Sequence, residues 1–134
     1  VTSPLRNQSD LEGVLELLEK GNSQTNVITG APARRSPYFN LVELDESGGV
    51  HLSGKRQSDL KVIERRQDAP PCYDMNASIY AWWRDSLLKA SNVIQSSTQL
   101  YVMPEERSVD IDSELDFHWV EFLMNEQLKV CNGK

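Results

Sequence analysis

The alternation of strand-like and helix-like segments constrains the fold of this chain more than any other feature. Residues 9–20, SDLEGVLELLEK, carry apolar side chains at intervals of three and four, which is typical of one helix face. A short apolar segment at 25–32 ends in glycine and proline, as buried strands often do. The same order recurs, with strands at 75–83 and 98–104 followed by helices at 84–90 and 113–128. The sequence therefore predicts an α/β fold with a largely parallel sheet.

Both long helices begin with two residues at capping-box spacing, in which side chains bond the free N–H groups of the first turn. Ser9 and Glu12 have this spacing in the first helix, and Ser113 and Asp116 have it in the last. Gly21 marks the end of the first helix. The last helix carries an apolar stripe that we expect to face the core, formed by Phe117, Val120, Leu123, Met124 and Leu128.

Residues 34–72 interrupt this pattern. Residues 40–44 alternate in polarity, DESGG is a turn sequence, and VHL at 50–52 can return as the second strand of a hairpin. The polar, charged segment that follows is too long for an ordinary loop. We expect an α/β core formed by residues 1–33 and 73–134, and an excursion at 34–72 that contacts a partner.

Composition excludes several classes of function. The 134 residues suit one compact domain, and the net charge of −6 disfavours a nucleic-acid partner. No apolar run is long enough to span a membrane, and no signal peptide is recognisable. Cys72 and Cys131 lack the spacing of a zinc site, so we expect two free thiols in a reducing cytoplasm.

The acidic stretch at 104–117, PEERSVDIDSELDF, contains the strongest candidate for a metal site. Asp110 and Asp112 are two residues apart, and such residues point to the same side of an extended backbone. Paired carboxylates suit Mg²⁺, which prefers oxygen ligands and keeps waters or substrate phosphates. The alternative is that these are surface acids, with Asp112 and Glu114 stabilising the positive end of the last helix. The spacing leaves both interpretations open.

Two further sets of polar residues have a binding and a structural interpretation. Arg65 and Arg66 could bind a carboxylate or phosphate, or they could belong to a solvated surface. Asn76, Ser78 and Tyr80 would share one face of a strand, which could line a pocket or face solvent. No serine or cysteine nucleophile has a histidine partner at a recognisable spacing.

Three stretches resemble one enzyme family in the same order and over essentially the whole chain. They are TSPLR (2–6), RRQDAPPCYDMNASIY (65–80) and YVMPEERSVDIDSELDF (101–117). Together they resemble the acylneuraminate cytidylyltransferases, the CMP-sialic acid synthetases and their nonulosonate relatives. The SVDIDS motif after a YVMP strand is the most specific part of this resemblance, and TSPLR is the second.

The resemblance implies a fold and a reaction. The fold is a three-layer, nucleotide-diphospho-sugar-transferase-like domain with a mixed or mostly parallel sheet, of which the chain would hold the C-terminal half. The reaction transfers CMP from CTP to an acidic 2-keto-3-deoxy sugar of the sialic, legionaminic or pseudaminic acid type, with Mg²⁺, and releases pyrophosphate. The 34–72 excursion matches the dimerisation element of the family, so a homodimer is expected.

The same resemblance implies roles for seven residues. Asp110 and Asp112 match the metal-binding aspartates of the family. Arg66 matches a sugar-binding arginine, and Asn76 and Tyr80 match a strand near the acyl-sugar pocket. Ser3 and Arg6 match a loop close to the sugar.

The chain departs from the family at several positions. Asp74 stands where sialic-acid enzymes can carry a second arginine, and Val93 and Ile94 stand where they can offer two adjacent aromatics. These differences weaken sialic acid itself as the substrate and leave a legionaminic- or pseudaminic-type sugar open. The glycine-rich loop that grips the CTP phosphates has no counterpart, so we expect the isolated chain to be inactive. The alternatives are a non-catalytic, dimerising sugar-binding remnant and a 3-deoxy-manno-octulosonate cytidylyltransferase.

Overall fold

The computed structural model describes residues 2–53, 63 and 65–132, with side chains up to Lys129. The chain divides into two compact units. The α/β unit comprises Val1–Ala31 and Met75–Lys134, and the hairpin unit comprises Pro32–Asp74. The helices are α1 (Gln8–Lys20), α2 (Arg84–Leu87) and α3 (Glu114–Asn132). The strands are β1 (Asn26–Pro32), β2 (Val42–Leu44), β3 (Val50–Leu52), β4 (Tyr73–Trp82) and β5 (Thr98–Val102).

The main sheet has three strands in the order β4-β1-β5. Strands β1 and β5 are parallel, with Asn26 opposite Thr98 and Gly30 opposite Val102. Strand β4 runs the other way, because Thr29 within β1 bonds to Ile79 within β4, while Ala33 just after β1 bonds to Cys72 just before β4. The predicted α/β class is confirmed, and the sheet is mixed. The three-layer arrangement stays a prediction.

The core of the α/β unit lies between α1 and the sheet. Val14 and Leu18, four residues apart on α1, pack with Val27 of β1, Ile79 of β4 and Met103 after β5. Met103 and Val27 are fully buried. Of the apolar residues at helical spacing in the first helix, Val14 and Leu18 face the sheet, whereas Leu11 and Leu15 are exposed.

The first helix begins earlier than predicted, and a different residue caps it. The N-cap is Asn7, whose side-chain oxygen accepts from the Asp10 backbone N–H, while the Asp10 carboxylate accepts from the Asn7 N–H. The predicted capping box of Ser9 and Glu12 is wrong, because Ser9 lies inside the helix and donates its hydroxyl to Asn7. The predicted end at Gly21 is confirmed, since its N–H bonds the Leu18 carbonyl at 3.2 Å.

The last helix begins with the predicted capping box, but its apolar stripe is largely exposed. The Asp116 carboxylate accepts from the Ser113 N–H at 2.9 Å, and the Asp116 N–H donates to the Ser113 hydroxyl at 3.3 Å. Val120 is buried, whereas Phe117, Met124 and Leu128 are exposed, so the expectation that the stripe faces the core is largely wrong. Helical periodicity determines which residues share a face, but it does not determine whether another element covers that face.

The hairpin unit contains the predicted hairpin. Strands β2 and β3 pair antiparallel, with Val42 opposite Leu52 and Leu44 opposite Val50. The Asp45 carboxylate closes the turn by accepting from the N–H groups of Ser47 and Gly49. Gly48 has a φ of +83°, which glycine adopts at little steric cost. The hairpin is confirmed, and its role in dimerisation stays a prediction.

No helix in the described residues is long and apolar enough to cross a membrane.

Helix α2 is shorter than predicted, since helical structure ends at Leu87 and Leu88 is exposed. The Cys72 thiol is free, while the side chain of Cys131 lies outside the described residues. A cytoplasmic location stays a prediction.

The Met103 side chain is the largest fully buried side chain of the core, so we expect its truncation to be costly. The Met103→Ala variant should lose about 3 kcal/mol of unfolding free energy, from lost burial and the cavity left behind. The Met124→Ala variant is a matched control on the exposed face of α3 and should change stability by about 0.5 kcal/mol or less. Urea denaturation followed by circular dichroism measures both, and equal losses would contradict the assigned core.

Candidate substrate and metal site

The N-terminal segment 2–6 lies against the segment that carries the two candidate metal ligands. The Ile111 backbone N–H donates to the Thr2 carbonyl at 2.8 Å. Beside it, the Ser3 hydroxyl donates to the Asp110 carboxylate at 3.3 Å. Ser3 is buried and Asp110 is partly buried, so this contact lies at the rim of the unit and not in open solvent. The structure thus brings together two predicted site residues that are far apart in the chain.

Arg6 connects the same segment to strand β4. Its guanidinium donates to the Ser78 carbonyl at 2.7 Å. Arginine has five N–H donors in a planar arrangement, so one bond to a carbonyl leaves others for a ligand. Arg6 is exposed, which makes those donors accessible. Segment 2–6 therefore joins the acidic loop after β5 to the strand that carries Asn76 and Tyr80.

Strand β4 is distorted between Asn76 and Ser78. Ala77 has a φ of +49°, a left-handed conformation that is uncommon for a residue with a side chain. Asn76 is only 9% exposed, and its amide oxygen accepts from the Thr29 hydroxyl at 2.7 Å and the Ser78 N–H at 3.2 Å. Its amide nitrogen donates to the Met103 sulfur at 3.5 Å. Asn76 is therefore a buried residue that holds the distortion in place.

The distortion separates Asn76 from Tyr80. Asn76 contacts Met103, and Ile79 packs in the core cluster that contains Met103. Both side chains therefore face the core, although the side chains of residues three apart on a regular strand point to opposite faces. The irregular backbone at Ala77 thus shifts the alternation by one residue. Tyr80 is 37% exposed and packs its ring on Trp82, with ring centroids 5.8 Å apart. The prediction that Asn76 and Tyr80 share a strand face is wrong for this reason.

The Tyr80 side of β4 carries polar atoms without partners. Ser78 and Trp82 are two residues on either side of Tyr80, and their hydroxyl and indole N–H are buried. Neither atom has a hydrogen-bond partner among the described residues. Buried polar groups are nearly always satisfied, so these two atoms indicate a place where a ligand or water supplies the missing bonds.

The two acids of the SVDIDS motif have different surroundings. Asp110 is partly buried and bonded to Ser3, whereas Asp112 is exposed. The carboxylate in the capping box of α3 is that of Asp116. A hydrogen bond from the Ser113 hydroxyl contributes most to lowering the pKa of the Asp116 carboxyl. Capping therefore does not occupy the Asp110 and Asp112 carboxylates.

The donor set of this loop fits a hard cation with few protein ligands. In the part of the chain that the structure describes, no three or more His, Cys, Asp or Glu residues cluster as a metal site. Two carboxylates with room for water and phosphate oxygens are a common arrangement for Mg²⁺, which rarely has a cage built only from protein. The residues present are compatible with Mg²⁺ on these terms.

An ion pair that local sequence patterns do not reveal lies next to this loop. Arg107 donates from Nε and Nη2 to the two oxygens of Asp10, both at 2.9 Å. Asp10 is fully buried, and the Arg107 side chain is 23% exposed. In the sequence, Asp10 stands out only as an acid in the first turn of α1, and Arg107 only as the one base in the acidic stretch 104–117. Their contact, across 97 residues of sequence, follows only from the fold.

Arg66 belongs to the hairpin unit, while the other six predicted residues belong to the α/β unit. Arg66 begins a short 3-10 turn, Arg66–Asp68, and lines a cavity of about 290 Å³. Arg34 and Arg35 line the same cavity, which is therefore basic although the chain as a whole is acidic. Its other lining residues include Ser36, Asn40 and Cys72.

No family model matches the chain. Several curated proteins show clear similarity. "Post-translational flagellin modification protein B" of Campylobacter coli is 43% identical over 126 residues, 94% of this chain and 51% of that protein. "CMP-N,N'-diacetyllegionaminic acid synthase" of Campylobacter jejuni is 50% identical over 99 residues, 74% of this chain and 40% of that protein. "N-acylneuraminate cytidylyltransferase" of Streptococcus agalactiae serotype V is 27% identical over 117 residues, 87% of this chain and 27% of that protein.

The chain spans about half the length, or less, of these curated relatives. Two of these relatives are named as a CMP-N,N'-diacetyllegionaminic acid synthase and an N-acylneuraminate cytidylyltransferase. These names confirm the resemblance of the chain to the acylneuraminate cytidylyltransferase family, which the three motifs indicated.

The buried Asp10 carboxylate makes the stability of the chain depend on pH. Burial raises the pKa of this carboxyl, but the Arg107 hydrogen bonds and charge and the Asn7 N–H outweigh it, so the pKa lies below its ordinary 3.8. The stabilisation is therefore fully present above 3.8 and is lost as the pH falls through the lower pKa of the folded state.

We expect Asp10→Asn to cost about 3 kcal/mol of unfolding free energy near neutral pH, because Arg107 loses its buried partner. The difference from the wild type should shrink as the pH falls below about 4. Glu16→Gln removes an exposed carboxylate of the same helix and should have a much smaller effect. Urea titrations at several pH values measure this, and a difference that does not change with pH would contradict the assignment.

Proposed function

We propose that this chain supplies the metal-binding and acceptor-sugar side of a cytidylyltransferase that transfers CMP from CTP to a legionaminic-type nonulosonic acid and releases pyrophosphate. The observation that carries this proposal is the 50% identity over 99 residues to a CMP-N,N'-diacetyllegionaminic acid synthase. The similarity to an N-acylneuraminate cytidylyltransferase is lower, at 27% over 117 residues. This difference favours a legionaminic-type acceptor over sialic acid.

Asp110 and Asp112 are the proposed ligands of Mg²⁺. When bound, the ion neutralises charge on the CTP phosphates and favours displacement of pyrophosphate. The protein contributes the position of the ligands. The Ser3 hydroxyl occupies one oxygen of Asp110, and the Ile111–Thr2 backbone bond holds the residue between the two acids. The remaining carboxylate oxygens stay available to a cation.

Arg66 is the proposed partner of the sugar carboxylate. A guanidinium binds a carboxylate through two parallel N–H bonds, which gives both affinity and orientation. Arg66 lines a cavity with Arg34 and Arg35, and this local positive charge within a chain of net charge −6 favours an anionic ligand. The hairpin unit thus has the chemistry to recognise the acid group of a nonulosonic acid.

The Tyr80 side of β4 is the proposed contact for the acyl groups of the sugar. An acylamino group has an apolar methyl and an amide, which suit an aromatic ring beside polar atoms. Tyr80 supplies the ring, while the Ser78 hydroxyl and the Trp82 N–H are buried atoms in need of partners. Asn76 contributes indirectly, because it holds the β4 distortion that separates these residues from the core. Arg6, anchored to the Ser78 carbonyl, lies beside this strand.

We also propose that the enzyme is a cytoplasmic homodimer in which the hairpin unit meets the partner. An isolated two-stranded hairpin is marginally stable in water and needs a surface to pack against. Four apolar residues of this hairpin are exposed: Leu41, Val42, Leu44 and Val50. The chain has no glycine-rich loop with basic residues for the CTP phosphates, so we propose that it does not turn over CTP by itself.

A chimeric enzyme tests the proposed reaction. Residues 1–134 would replace the matching segment of the Campylobacter jejuni synthase, and pyrophosphate release would be measured with CTP, Mg²⁺ and N,N'-diacetyllegionaminic acid. We expect activity, and we expect Asp110→Asn or Asp112→Asn to reduce kcat about a hundredfold or more, because each removes a ligand of the catalytic cation. Glu114→Gln, in the same acidic stretch, is the control and should retain activity.

Two outcomes of the chimera experiment contradict the proposed reaction. One is an inactive chimera that is folded and binds CTP. The other is full activity in both aspartate variants. Binding of the sugar without any pyrophosphate release would instead support the non-catalytic, sugar-binding module.

Sugar binding to the isolated chain tests the proposed role of Arg66. We expect Arg66→Met to raise the Kd for N,N'-diacetyllegionaminic acid about tenfold or more, because a charge-assisted hydrogen-bond pair is lost. Arg66→Lys, which keeps the charge without the planar fork, should have an intermediate effect. Arg84→Met removes an exposed arginine of α2 and is the control. Calorimetry measures all four proteins, and equal affinities for the wild type and Arg66→Met would exclude this role.

A further inference from the structure

The ion pair between Asp10 and Arg107 differs from the other described ion pairs. The pairs Glu16–Lys20, Arg84–Asp85 and Glu126–Lys129 are exposed and join neighbours in sequence. Asp10 is fully buried, and Arg107 contacts it with two N–H groups at 2.9 Å. Such a pair contributes little net stability compared with apolar packing, but it defines a geometry closely.

Asp10 connects Arg107 to the start of α1. The Asp10 oxygen that accepts from Arg107 Nε also accepts from the Asn7 N–H at 3.0 Å. Asn7 in turn accepts from the Asp10 N–H at 3.1 Å and directly follows segment 2–6. The position of the Arg107 guanidinium is therefore coupled to the helix start from which segment 2–6 extends.

Arg107 also connects to the loop that carries the acids. Its own N–H bonds the Pro104 carbonyl at 3.1 Å, and the Ser108 N–H and hydroxyl bond the carbonyls of Glu105 and Pro104. These bonds make a tight turn immediately before the segment 109–112. Arg107 is three residues from Asp110, so little free chain separates the ion pair from the first candidate ligand.

The two segments meet again at their other ends. Segment 2–6 and the acidic loop are joined by two hydrogen bonds, one from the Ile111 backbone N–H to the Thr2 carbonyl and one from the Ser3 hydroxyl to the Asp110 carboxylate. The ion pair and these two bonds thus close a ring of contacts that includes residues 2–10 and 107–111. A ring closed at both ends restricts the loop far more than either contact does alone.

We infer that the Asp10–Arg107 pair is a positioning device that holds Asp110 and Ile111 against segment 2–6, so that the acidic loop is ordered before a cation or substrate binds. Arg107 is a positioning residue in this account, since it acts through the loop and not on the substrate. The catalytic part of this inference rests on the proposed function, while the structural part does not. A pair that only stabilised the fold would affect all protected amides alike.

Hydrogen exchange at two backbone amides separates these alternatives. The Ile111 N–H bonds Thr2 within the ring, and the Met103 N–H bonds Gly30 at 2.8 Å in the core, only four residues before Arg107. In Arg107→Lys, which keeps the charge beside Asp10 but loses the two parallel N–H bonds, we expect the Ile111 amide to exchange at least fivefold faster and the Met103 amide to change less than twofold. Arg107→Met also leaves Asp10 unpaired and lowers the stability of the whole unit, so both amides should exchange faster, and the Ile111 amide should accelerate more than the Met103 amide.

Mn²⁺ binding to residues 1–134, followed by electron paramagnetic resonance, provides the second readout. We expect the Kd for Mn²⁺ to rise at least fivefold in Arg107→Met, while Lys20→Met, which removes an exposed charge from α1, should leave it unchanged. Equal acceleration at Ile111 and Met103, or no acceleration at Ile111 in either Arg107 variant, would overturn the inference. If Ile111 alone responds while the wild type binds no Mn²⁺, the positioning role stands and the proposed metal site fails.

Discussion

The parallel pairing of β1 with β5 is the constraint on which the rest of the site depends. Parallel strands end at the same edge of a sheet, and ligands of α/β folds bind beyond this edge. The Met103 N–H bonds Gly30 and extends the pairing past β5, so the acidic segment 104–112 begins at this edge. Burial of Met103 against Val14 and Val27 fixes the strand end in place. The positions of Asp110 and Asp112 therefore follow from how the core packs.

Segment 2–6 connects the parts of the proposed site within the α/β unit. Thr2 and Ser3 bind the acidic loop, and Arg6 binds the Ser78 carbonyl on β4. One short segment thus connects the proposed metal ligands to the strand proposed to contact the acyl groups. The proposed chemistry needs this connection, because phosphoryl transfer depends mainly on holding the reacting groups in position. The basic cavity around Arg66 is a separate proposed site for an anion within the hairpin unit.

Local patterns in the sequence predicted the elements well, and the errors have physical causes. Helices α1 and α3, the hairpin and the strands follow from periodicity and turn residues, which are properties of neighbouring residues. The shift of Tyr80 away from Asn76 does not, because it arises from one left-handed residue, Ala77, which follows Asn76, and the Asn76 side chain is held by a bond from the Thr29 hydroxyl. The Asp10–Arg107 pair was missed because local spacing contains no information about contacts across 97 residues. The family resemblance assigned Ser3 to sugar binding and Asp110 to metal binding, whereas their direct contact follows only from the fold.

Paramagnetic broadening by Mn²⁺ in the ¹⁵N spectrum of the chain tests the central claim most directly. The claim is that Asp110 and Asp112 form a cation site beside segment 2–6. We predict that substoichiometric Mn²⁺ selectively broadens the amide signals of Ser3 and of residues 110–112, while core amides such as that of Val27 stay sharp. Broadening centred on the other acidic parts of the chain, such as Asp45 in the hairpin turn, would contradict the claim.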